Sequence, residues 1–195
     1  MGEFRKKLST ANPFTHLKGW LKSPEADSLL HQLEARSDWT QGSVRMFGRL
    51  VPEPRLSIFE GDHGISYSYA QRRLEGLGWT PELAELRDRF QRELGIANNS
   101  VLMNLYRNGR DSMGWHRDNE PELGPDPKVV SLSLGAARDF DLRCDADGRV
   151  QRLYLEHGDL LVMGSESQTK WMHCLPKRLR VGDLRINLTF RQVLY

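Results

Sequence analysis

Two cysteines, Cys144 and Cys174, are all that the 195 residues contain, and they form no CxxC. No disulfide framework can be built from them, which suits a reducing compartment, and a cytoplasmic location is expected. Long apolar runs are missing too. The stretch Leu160–Met163 is among the longest, far short of the ~18 residues that a membrane helix needs, so no membrane partner is expected. The opening MGEFRKKLST has no apolar signal core, and its Lys6 stands where a myristoylation signal wants Ser or Thr. Charge of one sign is scarce: the net charge is +2, which gives no bulk case for nucleic acid. Lysine is scarce as well. Of 28 cations 21 are Arg, whose planar fork grips phosphates and carboxylates as Lys cannot, although on composition alone GC-rich codon usage is the better explanation of the bias.

What is present suits a soluble domain: 38% hydrophobic and 28% charged residues, with no repeat and no low-complexity tract. A single domain over 1–195 is expected, with a tail or arm at 1–12, helices within 13–99, and a strand-rich core at 100–195. Ser23-Pro24 and Thr80-Pro81 read as helix starts. Leu29, Leu30 and Leu33 fall on one face of the first helix. Leu83, Leu86, Phe90 and Leu94 line the second, which Gly95 closes. From Ser100 the pattern shifts to period two or short apolar runs. Segments 101–106, 113–118, 129–134, 139–142, 150–156, 159–163, 171–175 and 184–193 read as strands. Asn108-Gly109, Asp147-Gly148, His157-Gly158 and Gly182-Asp183 mark turns. Helices followed by about eight short strands predict an α+β chain with a double sheet or jelly roll.

The first chemical candidate is His116-Arg117-Asp118. Residues i and i+2 of a strand share a face, so imidazole and carboxylate can meet one ion. Chance alone yields ~0.4 such triplets in this composition, so the motif needs a third ligand. His173, in a separate strand-like segment, supplies one. Two His and one carboxylate form the facial triad of non-haem Fe(II) oxygenases, but the same set fits catalytic zinc. The segment 185–191 alternates strictly: Ile186, Leu188 and Phe190 on one side, Arg185, Asn187, Thr189 and Arg191 on the other. Asn104 and Tyr106 flank Leu105 just before the Asn108-Gly109 turn, and a hairpin there would set an amide and a phenol beside the metal ligands. Arg185 and Arg191 in one cavity would need anions, and a small dicarboxylate reaching from an Arg fork to iron would supply them.

Taken together, NLYRNGRDSMGWHRDNE at 104–120, SLSLGAARDFDLR at 131–143, WMHCLP around His173 and RINLTFR at 185–191 resemble the AlkB family of Fe(II)- and 2-oxoglutarate-dependent dioxygenases. The likeness spans roughly residues 40–193. It implies a double-stranded β-helix (the jelly roll above) with the N-terminal helices outside and a nucleotide-recognition lid. It implies that His116, Asp118 and His173 hold Fe(II), and that Asn104, Tyr106, Arg185, Asn187, Thr189 and Arg191 line the 2-oxoglutarate pocket. The implied reaction is oxidative dealkylation. Oxygen and 2-oxoglutarate are consumed as cosubstrates, an N-methyl group on a nucleobase is hydroxylated, and formaldehyde leaves.

The expected partner is nucleic acid: alkylated DNA, with RNA demethylation of the same chemistry as the alternative. A non-catalytic cupin-like binder or a zinc hydrolase sharing the triad is the reading from a different class. A monomer is expected. Phe47 lies between Arg45 and Arg49, an aromatic flanked by two phosphate binders, and resembles the wedge hairpin of the branch that repairs double-stranded DNA. Arg49 and Arg55 are expected at the nucleic-acid backbone. Tyr67 and Tyr69 alternate onto one face and are candidates for stacking on an extruded base. Asn119 and Glu120, next to Asp118, are candidates for a base's polar edge or for orienting Tyr67. Here the sequence departs from DNA-repair members of that family, which carry an acid where this chain has Asn119 and a Phe where it has Tyr69, so the resemblance implies a less acidic base pocket.

Overall fold

The computed structural model describes residues 13–46, 48–69 and 72–194, apart from the side chains of Met46, Tyr69, Arg72 and Ser165. Both expected helices form. Helix α1 spans Ser23–Glu34 and buries Ala26, Leu29 and Leu33. Its cap is Lys22 rather than Ser23, so Pro24 is the helix-starting signal that operates. Helix α2, Pro81–Leu94, buries Leu83, Leu86, Phe90 and Leu94. The backbone N–H and hydroxyl of its cap residue, Thr80, both donate to the Glu60 carboxylate, at 2.8 and 3.3 Å. Gly95 ends the helix at φ +71°, a left-handed conformation that favours glycine.

Eight strands follow: β7 (Ser100–Tyr106), β8 (Met113–His116), β9 (Val129–Gly135), β10 (Arg138–Cys144), β11 (Val150–Leu155), β12 (Leu160–Met163), β13 (Trp171–Leu175) and β14 (Arg185–Arg191). They divide between two antiparallel sheets. One holds β11-β10-β13-β8. The other holds β12-β9-β14-β7, extended at its edges by β1 (Phe14–Leu17) and β4 (Leu56–Gly61). The larger sheet therefore reaches into the first hundred residues, across the division expected at residue 100. The chain crosses between sheets after β7, β8, β9, β11, β12 and β13, which is the jelly-roll pattern. The Asn108-Gly109 turn makes the first crossing. It is not a hairpin, because β7 and β8 lie in opposite sheets. Gly109 allows it by close approach: a side chain there would sit 1.7 Å from the Arg178 carbonyl oxygen.

Two further hairpins stand apart from both sheets. One pairs β2 (Ser43–Met46) with β3 (Arg49–Pro52), the other β5 (Ser66–Tyr69) with β6 (Arg72–Glu75). A short helix unforeseen in the sequence, α3 (Ser165–Lys170), precedes β13. Among the described residues no helix is long and apolar enough to cross a membrane.

The apolar alternation of β7, β9 and β14 fixes which way the larger sheet faces. Met103, Leu132, Ile186, Leu188 and Phe190 join the buried faces of α1 and α2 in one core on its outer side. Trp20 packs on Phe90 with ring centroids 5.1 Å apart, and Phe90 meets Phe190 edge-on at 5.0 Å. With the apolar positions turned outward under the helices, the polar positions of β14 must face the smaller sheet. Phe90→Ala, which empties the junction of helix and sheet, should lower unfolding free energy by about 3–5 kcal/mol in urea titrations. A loss under 1 kcal/mol would show that the helices do not carry this core.

Candidate active site

Strands β13 and β8 are neighbours in the smaller sheet, and their register sets His173 opposite His116. The two rings lie 4.2 Å apart, centroid to centroid. Phe140 of β10 stacks on His173 at 5.3 Å. Asp118 stands beyond the end of β8 rather than in a strand, as the sequence pattern had suggested. Its backbone N–H, which a strand partner would otherwise take, donates to Gln168 Oε1 of α3 at 2.8 Å. One ligand atom from each of His116, Asp118 and His173 falls within 4.8 Å of the others, a spacing a single ion can bridge.

The protonation states suit a metal. The carbonyl oxygen of Gly114 accepts from His116 Nδ1 at 2.8 Å, which leaves Nε2 free to ligate. Burial, with His116 alongside, pushes the His173 imidazole down to about 3, so it is neutral, the form that binds metals. Burial acts to raise the Asp118 carboxyl, but the charge and hydrogen bond of Arg191 lead the opposing causes and it is held at about 2. Arg191 Nη2 donates to Asp118 Oδ1 at 2.6 Å, joining the larger sheet to the ligand loop of the smaller one.

At the other end of the gap lies Arg185, only 1% exposed. It donates to neutral oxygens alone: Ser133 Oγ at 2.6 Å and the carbonyls of Leu155 and Ala136 at 3.3 and 3.4 Å. Its Nε is buried with no partner. Burial lowers the guanidinium to about 10. Register pairs Arg185 with Tyr106 and Asn187 with Asn104. Asn187 is held by Ser131 Oγ and the Leu132 carbonyl, both at 2.9 Å, and its oxygen accepts from the Thr189 hydroxyl at 3.2 Å. All three metal candidates and all six cosubstrate candidates line one cavity between the sheets.

A facial His-Asp-His set facing a buried, anion-free arginine across one cavity is what an iron oxygenase with a dicarboxylate cosubstrate requires. The profile of the 2OG-Fe(II) oxygenase superfamily matches residues 13–191. The chain is 40% identical over 181 residues to the DNA oxidative demethylase ALKBH2 of Mus musculus, covering 87% of this chain and 76% of that protein. The Homo sapiens ALKBH2 is 39% identical, at 87% and 69% coverage. The Homo sapiens alpha-ketoglutarate-dependent dioxygenase alkB homolog 3 is 37% identical over 185 residues, at 90% and 64%. The chain belongs to the AlkB family of 2OG-Fe(II) oxygenases. In fold it resembles the structure of OsALKBH1, with a TM-score of 0.67 over 92% of this chain and 96% of that one, at 19% identity.

AlkB membership implies Fe(II) and 2-oxoglutarate, and the residues fit both groups. His173 Nε2 stands 3.7 Å from Asp118 Oδ2, a gap that one ion can bridge, and Arg185 Nε is buried without a partner at the carboxylate end. No motif assigns a role to Ser131 and Ser133, although their spacing in Val129–Gly135 and their register with Thr189 and Asn187 put both on the face of the sheet that carries Arg185 and Asn187. Gln168 gave no local signal at all.

The substrate candidates are more scattered. Phe47 and the side chain of Tyr69 lie outside the described residues. Arg49 is exposed at the start of β3. Arg55 departs from expectation: it is 5% exposed and points inward, so in this structure it does not reach a strand backbone. Tyr67 is fully buried, its ring stacked on Phe59 at 6.1 Å with the Arg191 guanidinium 5.7 Å from its centre, so it offers no open face to a base. The Glu120 carboxyl faces the Tyr67 phenol, and burial raises both groups. Glu120 thus sits where it can orient Tyr67, while Asn119 is exposed beside it. His173→Ala should weaken Co(II) binding by more than about 100-fold while far-ultraviolet circular dichroism stays unchanged. Retained Co(II) affinity in a folded variant would remove His173 from the metal set.

Proposed function

We propose that this chain is a direct-reversal repair dioxygenase that removes N-linked alkyl groups, such as those of 1-methyladenine and 3-methylcytosine, from DNA. The observation that carries this reading is the single cavity joining the His116-Asp118-His173 set to the buried Arg185, in a chain 40% identical to a protein named DNA oxidative demethylase. His116, Asp118 and His173 hold Fe(II), which with oxygen and 2-oxoglutarate supplies the oxidising power for hydroxylating the methyl carbon.

The protein's own part is positioning. Arg185 and Tyr106 receive the carboxylate of 2-oxoglutarate remote from the metal, where a preorganised guanidinium needs no rearrangement to bind an anion. Asn104, Asn187 and Thr189 line the path between. Arg191 keeps Asp118 ionised and aimed, so the third ligand is available without a proton being lost first. Walls of Phe140, Leu155 and Met163 exclude water from one side of the cavity. Glu120, beside Asp118 and Arg191, holds the buried Tyr67 phenol in place, and the exposed Asn119 next to it forms a polar contact for an extruded base. At the exposed hairpin of β2 and β3, Arg45 and Arg49 meet phosphates, and Phe47 between them fills the gap that a flipped base leaves. The partner is therefore alkylated DNA, engaged by one copy of the chain.

A panel of methylated oligonucleotides, DNA and RNA, single- and double-stranded, scored for succinate and formaldehyde, tests this reading. Equimolar formaldehyde and succinate from 1-methyladenine DNA, dependent on added 2-oxoglutarate, is the expected result. Turnover confined to RNA would assign the chain to the other substrate class. Phe47→Ala should reduce turnover on duplexes at least fivefold more than on single strands. Equal losses on both would remove the wedge.

A further inference from the structure

Arg55 is a buried cation that the positioning scheme above does not use. It follows β3 in the segment that returns the chain to the larger sheet, and Pro54 beside it accepts a bond from the Ser112 backbone at 3.1 Å. Its side chain is 6% exposed and that of its counter-ion Glu53 only 2%. One arm of the guanidinium donates to Glu53 Oε1 at 2.5 Å. Its Nε donates to Asn104 Oδ1 at 3.1 Å, across 49 residues of sequence. An arginine has donors and no acceptor, so the Asn104 atom that faces it must be the amide oxygen. The two amide hydrogens are then what Asn104 presents to the cavity it lines.

We propose that Arg55, braced by Glu53, is a positioning residue for the cosubstrate: it locks the Asn104 amide with its NH2 group toward the cavity, as a fixed donor to a 2-oxoglutarate oxygen. This rests on the functional reading above and narrows it. Without Arg55 the amide can turn over and present its oxygen to an anion, which repels where it should bind. The same placement takes Arg55 out of the nucleic-acid interface. Its charge also bears on the neighbouring Tyr106 phenol, where it opposes the upward push of burial, as an arginine at the carboxylate end of the cavity would.

The test is 2-oxoglutarate affinity in Mn(II)-loaded protein, by calorimetry, with no nucleic acid present. Removing Arg55 alone takes a buried counter-charge away from the Glu53 carboxylate and risks the fold, so the main variant is Arg55→Met with Glu53→Gln. Arg55→Lys is the second, because its single nitrogen replaces two separated donors, Nη2 on Glu53 and Nε on Asn104, and loses the fixed fork that aims the second. Both should weaken 2-oxoglutarate at least about tenfold, the scale of one hydrogen bond to a charged group. Mn(II) affinity and the KM for an oligonucleotide carrying 1-methyladenine, at saturating 2-oxoglutarate, should stay within twofold of wild type. A structural role alone would not produce that split. Affinity for 2-oxoglutarate within twofold of wild type in both variants overturns the proposal. If only the oligonucleotide KM rises, Arg55 belongs to the nucleic-acid interface. Wild-type protein that binds Mn(II) but not 2-oxoglutarate removes the functional reading itself, and this proposal with it.

Discussion

A guanidinium shut between two β-sheets, hydrogen-bonded only to neutral oxygens, sets the terms for this molecule. The desolvation of Arg185 is costly in a fold whose net stability is a small difference between large terms. The structure nevertheless arranges Ser133 and two carbonyls to keep that charge in place rather than letting it reach solvent. Such an arrangement makes physical sense when the group is there to meet an anion. The opposite end of the cavity is organised by the reverse pairing. Asp118 is buried, but Arg191 keeps it ionised, and the two imidazoles beside it are held uncharged. One end of the chamber therefore attracts a carboxylate, and the other offers a metal ion one carboxylate and two neutral nitrogens.

The two-sheet architecture keeps these ends apart. The metal set is carried by the smaller sheet and the loop after β8, the carboxylate set by β7 and β14 of the larger one. A contact within one sheet would be fixed by register alone. Here the spacing across the gap depends on how the sheets are clamped, and the Arg191–Asp118 pair is one such clamp. Helices α1 and α2, packed on the far side of the larger sheet, are what allow every polar residue of β14 to turn inward. The outer core and the inner site are two faces of the same strands.

Much of this was legible in the sequence wherever the information is local. Strict alternation in RINLTFR gives both the inward polar face and the outward apolar one. Pro24, Pro81 and Gly95 mark helix ends because each restricts the backbone in a way only certain positions accept. The metal set was weaker locally: a single HxD has a high chance frequency, His173 was a candidate third ligand by its strand-like segment, and the likeness of ordered motifs across the chain is what tied the three together. What could not be read depends on partners far away in the chain. Strand β1 exists because β12 offers it an edge, and β4 because β7 does. Gln168 matters only because Asp118, 50 residues earlier, lacks a strand partner. Arg55 looked like a surface contact because it follows an exposed hairpin, but the fold turns it toward Asn104. Tyr67 carried an alternation that suits a binding face and a core equally, and the structure places it in the core.

The account is tested most directly by presenting both ends of the chamber with a ligand that satisfies one and with a ligand that satisfies both. Wild-type protein loaded with Fe(II) without oxygen is titrated with 2-oxoglutarate and, separately, with 2-oxobutanoate, which keeps the keto acid but lacks the distal carboxylate. The visible charge-transfer absorption reports binding at the metal. The account predicts a band that saturates with 2-oxoglutarate at a concentration at least about 100-fold lower than with 2-oxobutanoate, the scale of a buried charge-assisted pair. No band with 2-oxoglutarate, or equal affinity for the two acids, would contradict it.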